Sequence, residues 1–143
     1  MNAHRSEIPT WEALALVDET SIGRLCVIDH GTPVAFPVNF RMIGEDDHRQ
    51  LVVRTTPTTL IGSYSGPASM EIDHIDVEAM TAWSVIMRGE LRPVSGGPQL
   101  PDPHPWLDSR HHWLLLDVSA VSGRRFVGTK ADDGYSVEWQ LAI

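Results

Sequence analysis

One arginine and four threonines stand together directly after an apolar run. Leu-Val-Val at positions 51–53 ends in Arg54, and Thr55, Thr56, Thr58 and Thr59 follow within five positions. A guanidinium offers five donors in a rigid fork that matches phosphate geometry, and threonine hydroxyls add further donors. A helix beginning at Thr58 or Thr59 would also direct its first backbone amides at the same place. The segment therefore predicts a phosphate-binding site at the end of a strand.

The histidines raise the separate question of a metal site. His104, His111 and His112 are close in sequence to Asp102 and Asp108. Their spacing matches neither a helical His-x-x-x-His pair nor a Cys/His ligand set. We therefore expect no native metal ion.

Other candidate side chains have simpler structural interpretations. Glu71 and Asp73 could form an acid–base pair, but period-two alternation places them on the predicted solvent face of a strand. His74 falls on the apolar face of that strand and is interpreted first as a core or interface histidine, although a position beside a bound ring stays open. Cys26 lies inside an apolar run and is interpreted as a small buried hydrophobe. The sequence also lacks a Gly-x-Ser-x-Gly elbow, a P-loop and a Gly-x-Gly-x-x-Gly string, which excludes the common hydrolase, NTPase and Rossmann classes.

The composition is that of a folded, acidic chain. Hydrophobic residues make up 42% and charged residues 21% of 143 residues, which favours one domain, 1–143, with residues 1–8 and 128–143 at its periphery. The net charge of -8 argues against binding nucleic acid or an anionic membrane. The polar amino terminus, the short apolar runs and the single cysteine predict no signal peptide, no membrane span and a cytoplasmic protein.

The hydrophobic pattern predicts mostly strands. A hairpin turn at Asp29-His30-Gly31 joins two of them, and Pro37 indicates an edge, a bulge or a strand end. Residues 95–105 are rich in proline and glycine and predict a loop. The predicted strands are 21–29, 34–40, 50–54, 68–75, 81–94 and 112–121, with another at 135–141, and the predicted short helices are 11–19, with Thr10 as its N-cap, and 58–64. This pattern is typical of a small, mostly antiparallel barrel.

Five short segments occur in a familiar order over residues 8–127. They are Ile22-Gly23-Arg24-Leu25, Pro37-Val38-Asn39-Phe40, Val53-Arg54-Thr55, Trp83-Ser84-Val85 with Arg88-Gly89, and Gly123-Arg124-Arg125-Phe126. In this order and spacing the chain resembles the pyridoxamine 5'-phosphate oxidase-like proteins. The resemblance implies a mainly β fold, a flavin-binding split β-barrel of about six antiparallel strands with short helices.

The resemblance also implies a cofactor site. Proteins of this kind pair as homodimers and hold FMN in each groove at the interface. Arg54 and Thr55 would meet the phosphate, with Thr56 and Thr59 beside them. Pro37, Val38 and Asn39 would line the flavin ring, and Trp83 and Ser84 would contribute to the cofactor pocket or to the dimer contact.

Simpler interpretations stay open for several of these residues. Trp83 could pack in the core, Asn39 could cap a turn, and Arg54 could be an ordinary arginine at a strand end. Alternation places Trp83 and Ser84 on opposite faces of their strand, so both enter one groove only if the strand is kinked.

The sequence departs from the family pattern after the Arg-Thr pair. Many relatives carry a lysine there, in a Gly-Ser-Lys-like string, whereas this chain has Thr58-Thr59-Leu60. A lost charge-assisted hydrogen bond is worth about 1.5–3 kcal/mol, so FMN would bind about ten- to a hundredfold more weakly. The first expectation is an FMN-dependent oxidoreductase acting on a small molecule. The alternatives are a non-catalytic dimer that binds or sequesters a flavin, a deazaflavin or haem, and a dimeric scaffold with an empty groove.

Overall fold

Six antiparallel strands close into a ring in a computed structural model, which describes residues 4–56, 59–95, 100–105, 112–131 and 134–135. The elements in chain order are β1 (His4–Ile8), α1 (Thr10–Asp18), β2 (Ile22–Asp29), β3 (Thr32–Ile43), β4 (Gln50–Thr55), a 3₁₀ turn (Ile61–Ser63), β5 (Gly66–Asp76), β6 (Thr81–Val94), β7 (His112–Val127), β8 (Lys130–Ala131) and β9 (Gly134–Tyr135). Among the described helices, none is long and apolar enough to cross a membrane.

The ring follows the order β7-β4-β3-β2-β5-β6, and pairing between β6 and β7 closes it. The first half of β7 pairs with β4, from His112 to Asp117, while β6 lies along its other side. The second half of β7 pairs instead with β1, where Ile8 lies opposite Gly123. Because β7 leaves β4 after Asp117, the barrel is open there. This is a mainly β split barrel, as predicted.

A close backbone approach marks the point where β7 changes its neighbour. The register between β6 and β7 shifts at Arg88 and Gly89, which leaves Ser119 as the extra residue of a bulge. A Cβ atom on Gly89 would lie 1.7 Å from the carbonyl oxygen of Asp117. Glycine is therefore required at position 89, and the bulge bends β7 away from β4.

The core fills the inside of the ring through period-two alternation. Leu25 and Val27 of β2 point inward, as do Met70 and Ile72 of β5. Ala13 and Val17 place one side of α1 against the same core. Burying side chains of this size contributes about 1.5–3 kcal/mol each, so the alternation fixes which face of each strand is left for a ligand.

The predicted hairpin between β2 and β3 is confirmed. Asp29 pairs with Thr32, and His30 and Gly31 have φ angles of 48° and 79°. Two consecutive residues with positive φ form the tight turn that matches strand twist. Pro37 lies beyond the β3–β4 ladder, which ends at Phe40 and Val53, so it pairs with β2 on one side as its type requires.

The structure corrects several boundaries. The helix predicted at 58–64 does not form over the described residues 59–64, where Ile61–Ser63 makes a 3₁₀ turn, and residue 58 lies outside the described residues. The helix predicted at 11–19 begins one residue earlier, so Thr10 is its first residue and Pro9, not Thr10, precedes it. β7 continues to Val127, six residues past the predicted end. The prediction of a strand at 135–141 lies mostly outside the described residues, apart from Tyr135 in β9.

The strand β1 was not predicted from the sequence. Its residues Arg5, Ser6 and Glu7 are exposed, and Ile8 alone is buried among residues 5–8. The side chains of β1 therefore show no alternation of apolar and polar residues. The strand is held by its backbone pairing with β7, which leaves no mark in the side-chain pattern.

Candidate functional site

Arg54 lies on the outer face of the barrel at the end of β4. Its neighbours Val53 and Thr55 point inward and are fully buried, so alternation turns Arg54 the other way. The side chain is nevertheless only 13% exposed. Trp113, its partner on β7, places its ring 5.1 Å from the guanidinium carbon, a distance that allows a cation–π contact. The structure therefore holds a nearly buried cation at the predicted phosphate site.

Asp102 is the carboxylate that meets this cation. Nη1 of Arg54 donates to Oδ1 of Asp102 over 2.7 Å, and the backbone N–H of His104 donates to the same oxygen over 2.9 Å. The pKa of Asp102 lies below its ordinary value, first because of the His104 amide and then because of Arg54. Asp102 entered the sequence interpretation only as a neighbour of three histidines. A contact across 48 residues, from a proline-rich loop, leaves no signal in local spacing.

The threonines close the turn that follows β4. The hydroxyls of Thr55 and Thr59 lie 2.8 Å apart, and the Thr59 hydroxyl also donates to the carbonyl oxygen of Thr56 over 2.8 Å. The same hydroxyl accepts the backbone N–H of Gly62 over 3.1 Å. The backbone amide of Thr59 donates to Thr56 as well, over 3.2 Å. The hydroxyl of Thr59 is thus engaged within the turn, whereas Arg54 lies on the outer face.

The predicted ring-lining segment lies beside Arg54. Phe40 and Val53 form the last pair of the β3–β4 ladder, and Asn39 and Arg54 are the next residues beyond it on the two strands. Pro37 is exposed and, like Asn39, stands on the outer face, while Val38 packs against the core. The structure therefore brings positions 37, 39 and 54 to one part of the outer face, and position 38 contributes backbone there.

Trp83 and Ser84 lie farther away. Trp83 packs against the core, and Ser84 stands on the outer face beside Asp73 of β5. β4 and β6 both pair with β7, but Arg54 lies opposite Trp113 of that strand. Ser84 lies opposite Arg124, eleven residues farther along β7. The other way round the ring, through β3, β2 and β5, takes four strand-to-strand steps, or about 19 Å. One chain therefore does not bring Ser84 next to Arg54. Trp83 and Ser84 face opposite sides of β6, as alternation predicts.

A second charged cluster lies between these positions on the outer face. Nη1 of Arg24 donates to Glu71 over 2.9 Å and to Asp73 over 2.6 Å. Arg24 pairs with Pro37, so this cluster adjoins the ring-lining segment. Burial, followed by the nearby Asp73 carboxyl, raises the pKa of Glu71 to about 7, against the opposing effect of Arg24.

Metal ligands do not gather in the part of the chain that the structure describes, where no three His, Cys, Asp or Glu side chains could hold an ion. His74 is exposed near the end of β5 and not part of the core. His111 and Asp108 lie outside the described residues.

Comparison with known proteins then decides the family. A model of the family described as pyridoxamine 5'-phosphate oxidase matches residues 10–125. The chain belongs to this family. No protein of curated function matches it. The match begins at α1 and covers the ring of strands except for the last two residues of β7.

Several solved structures share this fold. A conserved protein of unknown function from Corynebacterium diphtheriae is 26% identical, with a TM-score of 0.72, over 86% of this chain and 98% of that one. An FAD binding protein from Mycobacterium smegmatis is also 26% identical, with a TM-score of 0.67, over 86% and 99%. An FAD-binding protein from Mesorhizobium loti, at 18% identity and a TM-score of 0.71, shows the fold alone.

Proposed function

We propose that this chain binds a flavin nucleotide, FMN or FAD, on the outer face of its barrel and serves as an oxidoreductase for a small molecule. The observation that carries the proposal is the Arg54 guanidinium, 13% exposed and neighbouring Asn39 on that face. Support also comes from the Mycobacterium smegmatis protein, which is 26% identical and is described as FAD binding.

The residues of the site fit a flavin phosphate and an adjoining ring. Arg54 would hold the phosphate by charge-assisted hydrogen bonds, which a planar guanidinium can make in pairs. Positions 37–39 would orient the ring, since Pro37 and Asn39 stand on the outer face and Val38 anchors the segment in the core. A bound isoalloxazine would supply the redox chemistry, and the chain supplies orientation and exclusion of water.

We further propose that two copies of the chain complete the site. Within one chain, Ser84 lies four strand-to-strand steps from Arg54 round the ring through β3, β2 and β5, a path of about 19 Å at the spacing of antiparallel strands. Through β7, the positions opposite the two residues are eleven residues apart. The outer face of β2 and β5 also carries exposed apolar side chains, Ile22 at 41%, Ile28 at 51% and Ile75 at 49%. A dimer covering them would have about twice the 15.9 kDa mass of the chain in light scattering after gel filtration, and a monomer at all concentrations would contradict the pairing.

A visible spectrum tests the cofactor. We expect the purified protein to be yellow, or to become yellow on titration with FMN or FAD, and chromatography of the released flavin identifies which one. Bleaching by a reduced nicotinamide under anaerobic conditions would support the oxidoreductase role. A colourless protein that takes neither FMN nor FAD would contradict the proposal, and a Soret band would favour haem instead.

A further inference from the structure

We propose that Asp102 occupies the anion-binding position of Arg54, and so determines how strongly the site takes a ligand that carries a phosphate. This inference rests on the proposed flavin site. Asp102 would then be a specificity-determining residue, which weakens binding of the ligand's phosphate and leaves binding of its ring unaffected.

The geometry of the pair supports this assignment. Oδ1 of Asp102 accepts a hydrogen bond from Nη1 of Arg54 over 2.7 Å, the kind of contact that a phosphate oxygen would make. Trp113 lies against the guanidinium, and the side chain is only 13% exposed. Since few directions of approach are left to a ligand, an anion arriving at Arg54 meets the position that Asp102 holds.

The carboxylate is held there by its own loop. The backbone N–H of His104 donates to the oxygen that Arg54 also binds, over 2.9 Å. Pro103, which lies between Asp102 and His104 in the sequence, is buried. Asp102 itself is 41% exposed, against 13% for Arg54, so the carboxylate is the more accessible member of the pair. The contact is therefore built into the loop and does not depend on a chance rotamer of an exposed acid.

The charges determine the consequence. A phosphate monoester carries about -1.5 to -2 at pH 7, whereas the Arg54–Asp102 pair is neutral overall. An incoming phosphate must displace the carboxylate or stand beside it, and either event weakens binding. A ligand with the same ring but no phosphate avoids this cost, so Asp102 acts on phosphate-bearing ligands alone.

The test compares riboflavin with FMN in titrations of the flavin-free protein. Asp102→Asn keeps an acceptor for the His104 amide and removes the charge. We expect it to tighten FMN binding by about tenfold and to leave riboflavin within about twofold of the wild type. Unchanged or weaker FMN binding in Asp102→Asn would overturn the inference, because Asp102 would then support Arg54.

Two controls isolate the Arg54 contact. Asp117 is also 41% exposed and binds Arg92, so Asp117→Asn removes the same charge elsewhere and should leave the FMN affinity unchanged. In the double variant Arg54→Gln/Asp102→Asn the gain should vanish, and a gain that persists would overturn the inference. Asp102→Ser, which also keeps an acceptor oxygen, repeats the test if Asp102→Asn does not fold.

Inorganic phosphate separates this inference from the proposed function. If the wild type binds neither FMN nor riboflavin, the flavin proposal has failed, and the anion site is tested alone. Phosphate should then raise the melting temperature of Asp102→Asn more than that of the wild type or of Asp117→Asn. Equal shifts in the three proteins would overturn the role of Asp102.

Discussion

Two arginines on the outer face of this barrel meet carboxylates in different ways. Arg24 is 56% exposed and binds Glu71 and Asp73, which both belong to the neighbouring strand β5. Arg54 is 13% exposed, stacks near Trp113 and binds Asp102, which belongs to a loop. The first cluster links two strands of the ring, and the second links a strand to a segment outside it.

This difference separates a structural ion pair from a candidate ligand site. The Arg24 cluster has one cation for two carboxyls, and the pKa of Glu71 is raised to about 7 by burial and by Asp73. An anion would meet excess negative charge there. The Arg54 pair is balanced, and its carboxylate can leave without breaking the sheet. An arginine can serve as an anion-binding site where a ligand anion can replace its carboxylate partner.

The largest expected effect is on FMN affinity and comes from removing the charge of Arg54. Arg54→Gln should weaken FMN binding by about ten- to a hundredfold, or about 1.5–3 kcal/mol, because a charge-assisted hydrogen bond is lost. Riboflavin binding should change little. Arg24→Gln is the matched control, and the ratio of FMN to riboflavin affinity should stay at its wild-type value there. Equal ratios in both variants, measured by fluorescence titration, would remove Arg54 from the phosphate site.

A substitution of Glu71 in the Arg24 cluster should change how the free energy of unfolding depends on pH. The folded pKa of Glu71, about 7, exceeds its ordinary 4.5, so the folded state binds more protons than the unfolded state between these values. Stability from this group is therefore lost as pH rises through that window. Glu71→Gln should remove this loss, which is on the order of 1 kcal/mol between pH 5 and pH 8. Urea unfolding at both pH values checks it, and parallel profiles for the two proteins would contradict it.

The smallest expected effect adds a second cation beside Arg54. Leu60 is 36% exposed in the turn after β4, at the position where the family resemblance implies a lysine. Leu60→Lys should tighten FMN binding by about threefold through a solvent-exposed charge, with Leu60→Gln as the neutral control. If the lysine and glutamine variants bind FMN equally in the same titration, the turn directs position 60 away from the phosphate.

Local pattern was sufficient to predict the parts of the fold that alternation controls. The strand Thr81–Val94 has the predicted bounds, because its buried and outward side chains alternate over most of its length. The same alternation placed Trp83 and Ser84 on opposite faces. β1 could not be predicted, since backbone pairing holds it and its side chains at 5–7 are exposed.

The candidate site was predictable in its cation and not in its surroundings. Arg54 followed from its position at the end of an apolar run. The helix expected at residues 58–64 does not form over the described residues 59–64, because hydrogen bonds of Thr59 close a tight turn there instead. Asp102 contacts Arg54 because a loop brings it back from 48 residues farther along the chain, and local sequence rules cannot predict a contact at that separation.

The place of β7 in the ring has a consequence for how the chain is made. This strand is the last member of the ring to be synthesised, yet it pairs with β4, β6 and β1, as in the contact of His4 with Val127. Such pairings join distant parts of the sequence, and proteins rich in them fold slowly. The growing polypeptide therefore cannot seal its barrel until residue 127 has left the ribosome, and its earlier strands wait with unpaired edges until then.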